Sequence, residues 1–331
     1  MKLSKLIRLS EWWQYKMAPL AAVGYATALF SGASLLSLLP GLMLVVLSAM
    51  FGAAYVSVLN DFTDIDEDLA AGKSNRQSKL TGSQRRLLLT ASTIPGFLFL
   101  LFFYRDSLPA LFYFLAGISF TLYSTPPFRL KNKGVWGVIA DASGAHLFPT
   151  LTIVAAVFHF AGQKADAVWL VAAGVWAFAY GLRGIMWHQF SDRMHDTQSG
   201  TSTYAVKREI YNFWITAKGI LAVEVIALCV LLAYINMPLV WLVFGLYLVG
   251  VAIARTFFNI RVIAILPVPG RNYIFLNTFY QLFWPLALLL VVALQQPGTW
   301  WLMVLHLVLF PKNILSGIGL SRRMFGRLSA Q

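Results

Sequence analysis

Acidic side chains are scarce in this sequence, with 13 Asp and Glu against 26 Lys and Arg in 331 residues. Charged residues make up 12% of the chain, where a soluble globular protein carries about a quarter. That excludes an ordinary soluble domain. The single cysteine, Cys229, lies inside an apolar run, so no intramolecular disulfide can form and thiol redox chemistry is not expected. Short strands of alternating polarity are missing, which excludes a closed transmembrane barrel. No linker, low-complexity tract, soluble domain or cleavable leader is evident.

What fills the chain instead is apolar: 59% of residues are hydrophobic, and the mean hydropathy is +0.69. Runs of about 20 such residues can each cross a bilayer as a helix. They predict an all-α, polytopic membrane bundle of 9–10 transmembrane helices. The expected spans are 18–38, 41–60, 87–104, 108–124, 136–159, 167–190, 213–235, 238–258, 272–294 and 299–316. The last could equally be an interfacial helix opening at Trp300 and Trp301. With the N-terminus in the cytoplasm, 24 of the 26 Lys and Arg fall on the cytoplasmic side, and Arg105 and Lys164 face the other. The net charge of +13 then reads as orientation and attraction to anionic lipid, with no nucleic-acid partner implied. The first 16 residues, with Lys2, Lys5, Arg8, Lys16, Trp12 and Trp13, read as an amphipathic interfacial segment.

Seven of the 13 acids sit in two short stretches, Asn60-Asp61-Phe62-Thr63-Asp64-Ile65-Asp66-Glu67-Asp68 and Asp192-Arg193-Met194-His195-Asp196. An offset of 128 positions carries Asp64, Asp68, Gly72 and Ser74 onto Asp192, Asp196, Gly200 and Ser202. Each stretch closes the second helix of a four-helix unit, which points to an internal duplication within one membrane domain. The expected units are 17–125 and 136–260, followed by C-terminal helices at 272–318.

Both stretches fall on the cytoplasmic side. On a helix, Asp61, Asp64 and Asp68 share a face, as do Asp192 and Asp196. Like charges so spaced repel unless a cation compensates, whereas Asp66 and Glu67 lie off the face and read as solvated. A lone acidic cluster at an interface is often just a solvated helix end, but two matched clusters on one side argue for a shared task. Carboxylates suit hard divalent cations, and Mg2+ accepts a few of them alongside phosphate oxygens. Five aspartates, two Mg2+ and a diphosphate ester leave a surplus of about −4. Basic groups to offset it are at hand in Arg76, Arg129, Lys131, Arg193 and Lys207. Arg183 lies inside a span, where a charge usually faces a functional cavity.

These motifs resemble a known family. Asn60-Asp61-x-x-Asp64-x-x-x-Asp68 is similar to the first aspartate-rich motif of the UbiA superfamily of intramembrane prenyltransferases. Asp192-x-x-x-Asp196 resembles its second, and Tyr123-Ser124 followed by Pro-Pro and Arg129-x-Lys131 resembles its YSxxxxR/K loop. The resemblance implies Mg2+-dependent transfer of a prenyl group from a polyprenyl diphosphate to a small-molecule acceptor, most often an aromatic ring, inside a lipid-facing helical bundle. It implies that Asp61, Asp64, Asp68, Asp192 and Asp196 hold the metals with Asn60 as orienting amide or ligand. Arg76, Arg129, Lys131, Arg183 and Lys207 would contact the phosphates, and Tyr123 would face the developing carbocation. The setting expected is the bacterial inner membrane, with membrane lipids as surroundings and no obligatory protein partner.

The stretch Arg183-Gly184-Ile185-Met186-Trp187-His188-Gln189 departs from the commoner pattern. His188, Asp192 and His195 share a helical face. They could hold a transition metal, or His188 could take a proton or touch substrate, or the histidines could simply be hydrogen-bonded near the interface. Asp141, an intramembrane acid, is a candidate acceptor-side base, and His146 on the same span a candidate cavity residue. Within the same enzyme class, a sugar phosphate, a porphyrin or the prenyl chain itself, in a cyclase, could be the acceptor. A cation or phosphate transporter fits less well, because its site would be expected near the midplane on broken helices.

Overall fold

A computed structural model of the chain describes residues 3–312 and 314, apart from 71, 73, 199–200 and 270–271. Two short helices, α1 (Leu3–Leu6) and α2 (Leu9–Trp12), form the N-terminal segment, with Arg8 between them at φ 55°. A π turn (Trp13–Met17) leads into α3 (Ala18–Ser31). Then follow α4 (Leu35–Thr63), α5 (Ile65–Ala70), α6 (Gly82–Phe102) and α7 (Ser107–Ser124). The second half opens with α8 (Val135–Ala142), a π turn (Ser143–Leu147) and α9 (Phe148–Phe160). It continues with α10 (Ala167–Ser191), α11 (Arg193–Gln198), α12 (Ile210–Ile235) and α13 (Pro238–Phe258). A third π turn (Phe279–Phe283), α14 (Trp284–Gln295) and α15 (Trp301–Leu309) close the described chain.

Seven of these rods are long and apolar enough to cross a membrane, with α8 and α9 joined as one, and Phe279–Gln295 is a shorter apolar helix. Adding the rod from Trp13 to Ser31 gives nine among the described residues, at the lower end of the expected count. The described part of α15 has nine residues, about 13 Å of helix, and does not cross alone.

Three prolines explain the three π turns. Pro19, Pro149 and Pro285 each stand second in the helix that follows the turn. A proline ring crowds the carbonyl four residues earlier and offers no N–H to it, so a helix that runs through must open its ladder there. One widened turn absorbs the mismatch without stopping the rod. The same solution leads into α3, joins α8 to α9 and recurs ahead of α14.

Two boundaries differ from the sequence reading. The first turn lies at 32–34, where Gly32 at φ 68° closes α3, and Pro40 is carried inside α4. The rod expected at 272–294 begins only at Phe279. Instead a short strand, β1 (Arg261–Ile263), pairs in parallel with β2 (Asn272–Ile274), and Leu276 at φ 68° breaks the chain before the helix can begin.

Packing relies on small side chains, since lipid is as apolar as the bundle and burial alone drives little association. A Cβ on Gly181 of α10 would stand 3.0 Å from Ala142 Cα and 3.1 Å from His146 Cβ, so glycine lets α10 lie directly on the second π turn. Trp169 fixes α10 to α3, stacking on Phe30 at 4.5 Å and donating to Thr27 Oγ1 at 3.0 Å.

Candidate functional site

Both acidic stretches are built on the same backbone device. α4 stops at Thr63, Asp64 breaks it at φ −105° and ψ 2°, and α5 resumes. α10 stops at Ser191, Asp192 breaks it at φ −95° and ψ 2°, and α11 resumes. Backbone bonds bridge each break, from Asp64 N to Asn60 O (3.1 Å) and Asp68 N to Asp64 O (2.8 Å), then from Asp192 N to His188 O (3.0 Å) and Asp196 N to Asp192 O (2.9 Å). The end of α4 and both ends of α5 map onto the end of α10 and both ends of α11 at the offset of 128.

A polar residue seven positions on secures the last aspartate of each stretch. Asn75 donates to Asp68 Oδ2 at 2.8 Å and also to the Asp61 carbonyl at 2.8 Å. Thr203, at the matching position, donates to Asp196 Oδ2 at 3.2 Å. Sequence comparison of the two stretches missed this pair because the residue types differ. The echoed Ser74 and Ser202 are both exposed, while Gly200 lies outside the described residues, as does Lys73.

Around the first stretch, cations converge from three separate segments. Arg129 donates to Asp64 Oδ1 at 2.8 Å and also pairs with Glu67, and Lys131 pairs with the same Asp64 oxygen. Paired prolines end α7 and hand the chain to this loop. Gly137 of α8 presses against it, since a Cβ there would stand 2.7 Å from Leu130 O. Burial lowers the Lys131 ammonium from its ordinary value while Asp64 pulls it back up, so its charge depends on that pairing. Asp61 is buried between Arg8 at 3.5 Å and Arg76 at 3.6 Å, and Glu11 joins both arginines, accepting from Arg76 at 2.8 Å. Arg8 and Glu11 come from the segment expected only to lie on lipid, so their part in the site had no signal beyond charge. Lys207 approaches from the second half: a Cβ on Gly134 would meet its Cδ at 3.8 Å.

Tyr123 links the two halves. Its phenol lies within electrostatic reach of Asp64 from the first stretch, Asp196 from the second, and Asp141. Next to it, Ser124 donates to Asn60 Oδ1 at 3.4 Å. Both acidic stretches therefore lie near Tyr123, at one end of the bundle. The side chains do not close into an oxygen cage: among the described residues, no three His, Cys, Asp or Glu are grouped to hold one metal ion. Asp66 is exposed, as expected, but Glu67 is tied to Arg129.

Beneath this end, an apolar cavity of about 340 Å³ runs between α3, α4, α6, α7, α9 and α10. Ser57 and Thr121 on its wall lie one helical turn short of Asp61 and Thr125. His146 lines it from the second π turn, edge-on to Tyr180 at 4.9 Å. Asp141, His188 and Lys16 lie within electrostatic reach of one another, and of the three Lys16 lines the cavity. His188 is exposed, against Trp187, and the side chain of His195 lies outside the described residues.

Arg183 is a correction. Expected at the phosphates, it is instead sealed 1% exposed in the bundle, gripping Glu224 of α12 with Nε to Oε2 at 2.6 Å and Nη2 to Oε1 at 2.8 Å. It also donates to Ala264 O and Asn277 Oδ1, while Tyr280 donates to Glu224 at 2.9 Å. An intramembrane charge with a buried partner of opposite sign needs no cavity. The partner was legible as the lone acid in the apolar run 213–235.

The sequence profile of the UbiA prenyltransferase family matches residues 17–265. Among solved structures, a UbiA homologue from Archaeoglobus fulgidus bound to DMAPP and Mg2+ superposes with a TM-score of 0.59 at 18% identity, covering 89% of this chain and 98% of that one. The same homologue bound to GPP and Mg2+ gives 0.58 at 18% identity, over 88% and 97%. Its Cd2+-bound form gives 0.56 at 20% identity, over 88% and 98%. At this identity the likeness establishes a common fold. A comparison with curated proteins finds no match.

Proposed function

The chain belongs to the UbiA prenyltransferase family, and from that premise we propose that it transfers a prenyl group from a polyprenyl diphosphate to an aromatic acceptor, with Mg2+ as cofactor, as one membrane domain. The observation that carries this reading is that two similarly broken aspartate helices lie near Tyr123, the first of them paired with basic groups, over one apolar cavity.

The site suits a hard cation. Asp61 Oδ2 is buried with no hydrogen-bond donor, and the neighbouring acids offer only oxygen. Asp61, Asp64, Asp68, Asp192 and Asp196, with Asn60, would hold the metal. Bound Mg2+ would supply positive charge to the diphosphate oxygens as the allylic C–O bond weakens. Arg8, Arg76, Arg129, Lys131 and Lys207 would exchange their present contacts for phosphate oxygens, giving hydrogen bonds that strengthen as the leaving group gains charge. The diphosphate departs with the C–O electron pair, the acceptor carbon bonds to C1 of the prenyl chain, and the ring proton then passes to the released diphosphate. The cavity would hold the chain away from water, which would otherwise capture the cation, and Tyr123 would turn its ring toward it. The positive-inside pattern supports a cytoplasmic location for this end in a bacterial inner membrane.

The test uses purified protein with Mg2+, a radiolabelled polyprenyl diphosphate and a panel of acceptors. Diphosphate release is expected from wild type, with Asp64→Asn and Asp192→Asn each lowering it by about 10²- to 10³-fold while melting remains cooperative. Ion flux through liposomes without diphosphate release would overturn the enzyme reading.

A further inference from the structure

Glu11 has no part in the reaction as proposed, yet it sits on two of the arginines that the reaction needs. Its carboxylate oxygens take one arginine each. Oε2 accepts from Arg8 Nε at 2.7 Å and pairs with Arg8 Nη2, and Oε1 accepts from Arg76 Nη2 at 2.8 Å. The other amino groups of the same two guanidinium groups face Asp61, at the longer distances of 3.5 and 3.6 Å. Two arginines are thus clamped between two carboxylates, and the ring of four carries no net charge.

The two carboxylates are not equivalent. Asp61 is buried on the spanning helix α4, whereas the Glu11 side chain is 42% exposed and stands on α2, a helix of four residues. Exposed ion pairs are individually weak, so the Glu11 carboxylate can swing into water at small cost. The backbone beneath it is held. Arg8, between α1 and α2, has φ 55°, a conformation that a residue with a Cβ adopts at a cost. Trp12 Nε1 donates across that turn to Ile7 O at 2.8 Å, and Trp13 Nε1 donates to Leu309 O of α15 at 2.7 Å. The segment is therefore tied down while the carboxylate of Glu11 can leave.

A phosphoryl group would offer Arg8 and Arg76 what Glu11 offers them now, two oxygens sharing negative charge. With Glu11 in place the ring has no net charge for an anion to meet. With Glu11 withdrawn, Arg8, Arg76 and Asp61 together carry one net positive charge. We propose that Glu11 is an internal anion that competes with diphosphate for Arg8 and Arg76. It gives way as the substrate docks and retakes both arginines as inorganic diphosphate leaves. This rests on the prenyl-transfer reading for the identity of the anion. It makes Glu11 a positioning residue that favours product release at the expense of affinity.

The full chain in phosphatidylcholine nanodiscs is titrated with inorganic diphosphate and Mg2+ by calorimetry. Glu11→Gln should tighten binding by about five- to tenfold, and Glu11→Asp should lie closer to wild type. Adding Arg76→Gln to Glu11→Gln should remove the gain, because the freed donor is then gone. Asp66→Asn deletes the same charge from an exposed position on α5 and should change affinity by less than about twofold. A damaged protein does not bind more tightly, so a gain cannot come from misfolding. Unchanged or weaker binding in Glu11→Gln overturns the inference, since Glu11 would then be a strut. An equal gain in Asp66→Asn, or a gain that survives Arg76→Gln, overturns it as well. Geranyl diphosphate with a panel of acceptors separates this from the reaction. If Glu11→Gln tightens inorganic diphosphate but wild type releases none from geranyl diphosphate, the competing anion stands and the prenyl-transfer reading falls. If wild type releases diphosphate while Glu11→Gln binds it no better, the reading stands and the inference falls. If neither protein binds diphosphate, both fall.

Discussion

Asp64 and Asp192 break their helices at nearly the same backbone angles, yet Asp64 holds Arg129 and Lys131 while Asp192 stands exposed. Deeper in the membrane the contrast repeats. Tyr55 and Arg183 occupy matching positions at the 128-residue offset. Tyr55 lines the cavity and shares a 2.8 Å hydrogen bond with Thr121, whereas Arg183 is sealed against Glu224. The helix-breaking geometry is the same in both halves, while the surroundings differ. The cations on the first stretch come from the N-terminal segment and the loops, and at the same offset Arg76, Arg129 and Lys131 fall on the uncharged Tyr204, Phe257 and Asn259. Tyr55 thus borders an open cavity, whereas the space at Arg183 is filled by its ion pair and by Tyr280, which packs on Trp176 and Trp284.

The comparison can be broken most severely at the aspartates. If the shared break reflects a shared task, Asp64→Asn and Asp192→Asn lower diphosphate release by similar factors, about 10²-fold at least. A silent Asp192→Asn would mean that the second stretch kept the geometry and lost the role.

The matched pair Tyr55 and Arg183 should separate next. Glu224→Gln strands a buried guanidinium and should cost about 3–5 kcal/mol, read as a lowered melting temperature in detergent. Arg183→Met combined with Glu224→Leu should recover most of that loss. Tyr55→Phe removes one neutral hydrogen bond and should cost about 1 kcal/mol. A Glu224→Gln protein that melts like wild type would deny the pair its structural role.

A smaller effect is expected at the supporting residues. Asn75→Ala and Thr203→Val should each raise the Mg2+ concentration for half-maximal release, by about 3- to 10-fold. Asn75 should show the larger effect because it also ties down the Asp61 carbonyl. The exchange Asn75→Thr should be milder than Asn75→Ala, since threonine serves the same purpose in the other half. Glu67 is the least sensitive. Its ion pair with Arg129 is solvent-exposed, so Glu67→Gln should change stability by less than about 1 kcal/mol and leave release within twofold.

Much of the bundle was legible because a membrane span announces itself by length and hydropathy alone. The acidic motifs were legible because charge is so rare in this chain. The turn at 32–34 was misplaced because Pro40 looks like a stop, whereas the chain carries it in an early turn of α4. Arg183 was misassigned for a related reason. An intramembrane charge signals that a partner exists, but whether that partner is a ligand or Glu224 depends on which helix lies opposite. Arg8 and Glu11 looked like lipid-facing charges, since nothing local distinguishes a headgroup contact from an ion pair with Asp61.

By itself, the sequence determined the membrane-embedded helical class, the two aspartate stretches and their repeat, because hydropathy, charge scarcity and motif spacing are properties of the linear chain. Tertiary structure alone decided which cations sit on which acids, that Asn75 and Thr203 are equivalents despite differing in type, and that Arg183 serves the core. It also decided that Lys16 and His146, 130 residues apart, face one cavity. Each of those outcomes depends on which helices pack together, and apolar helices of similar composition do not record their neighbours in any local pattern.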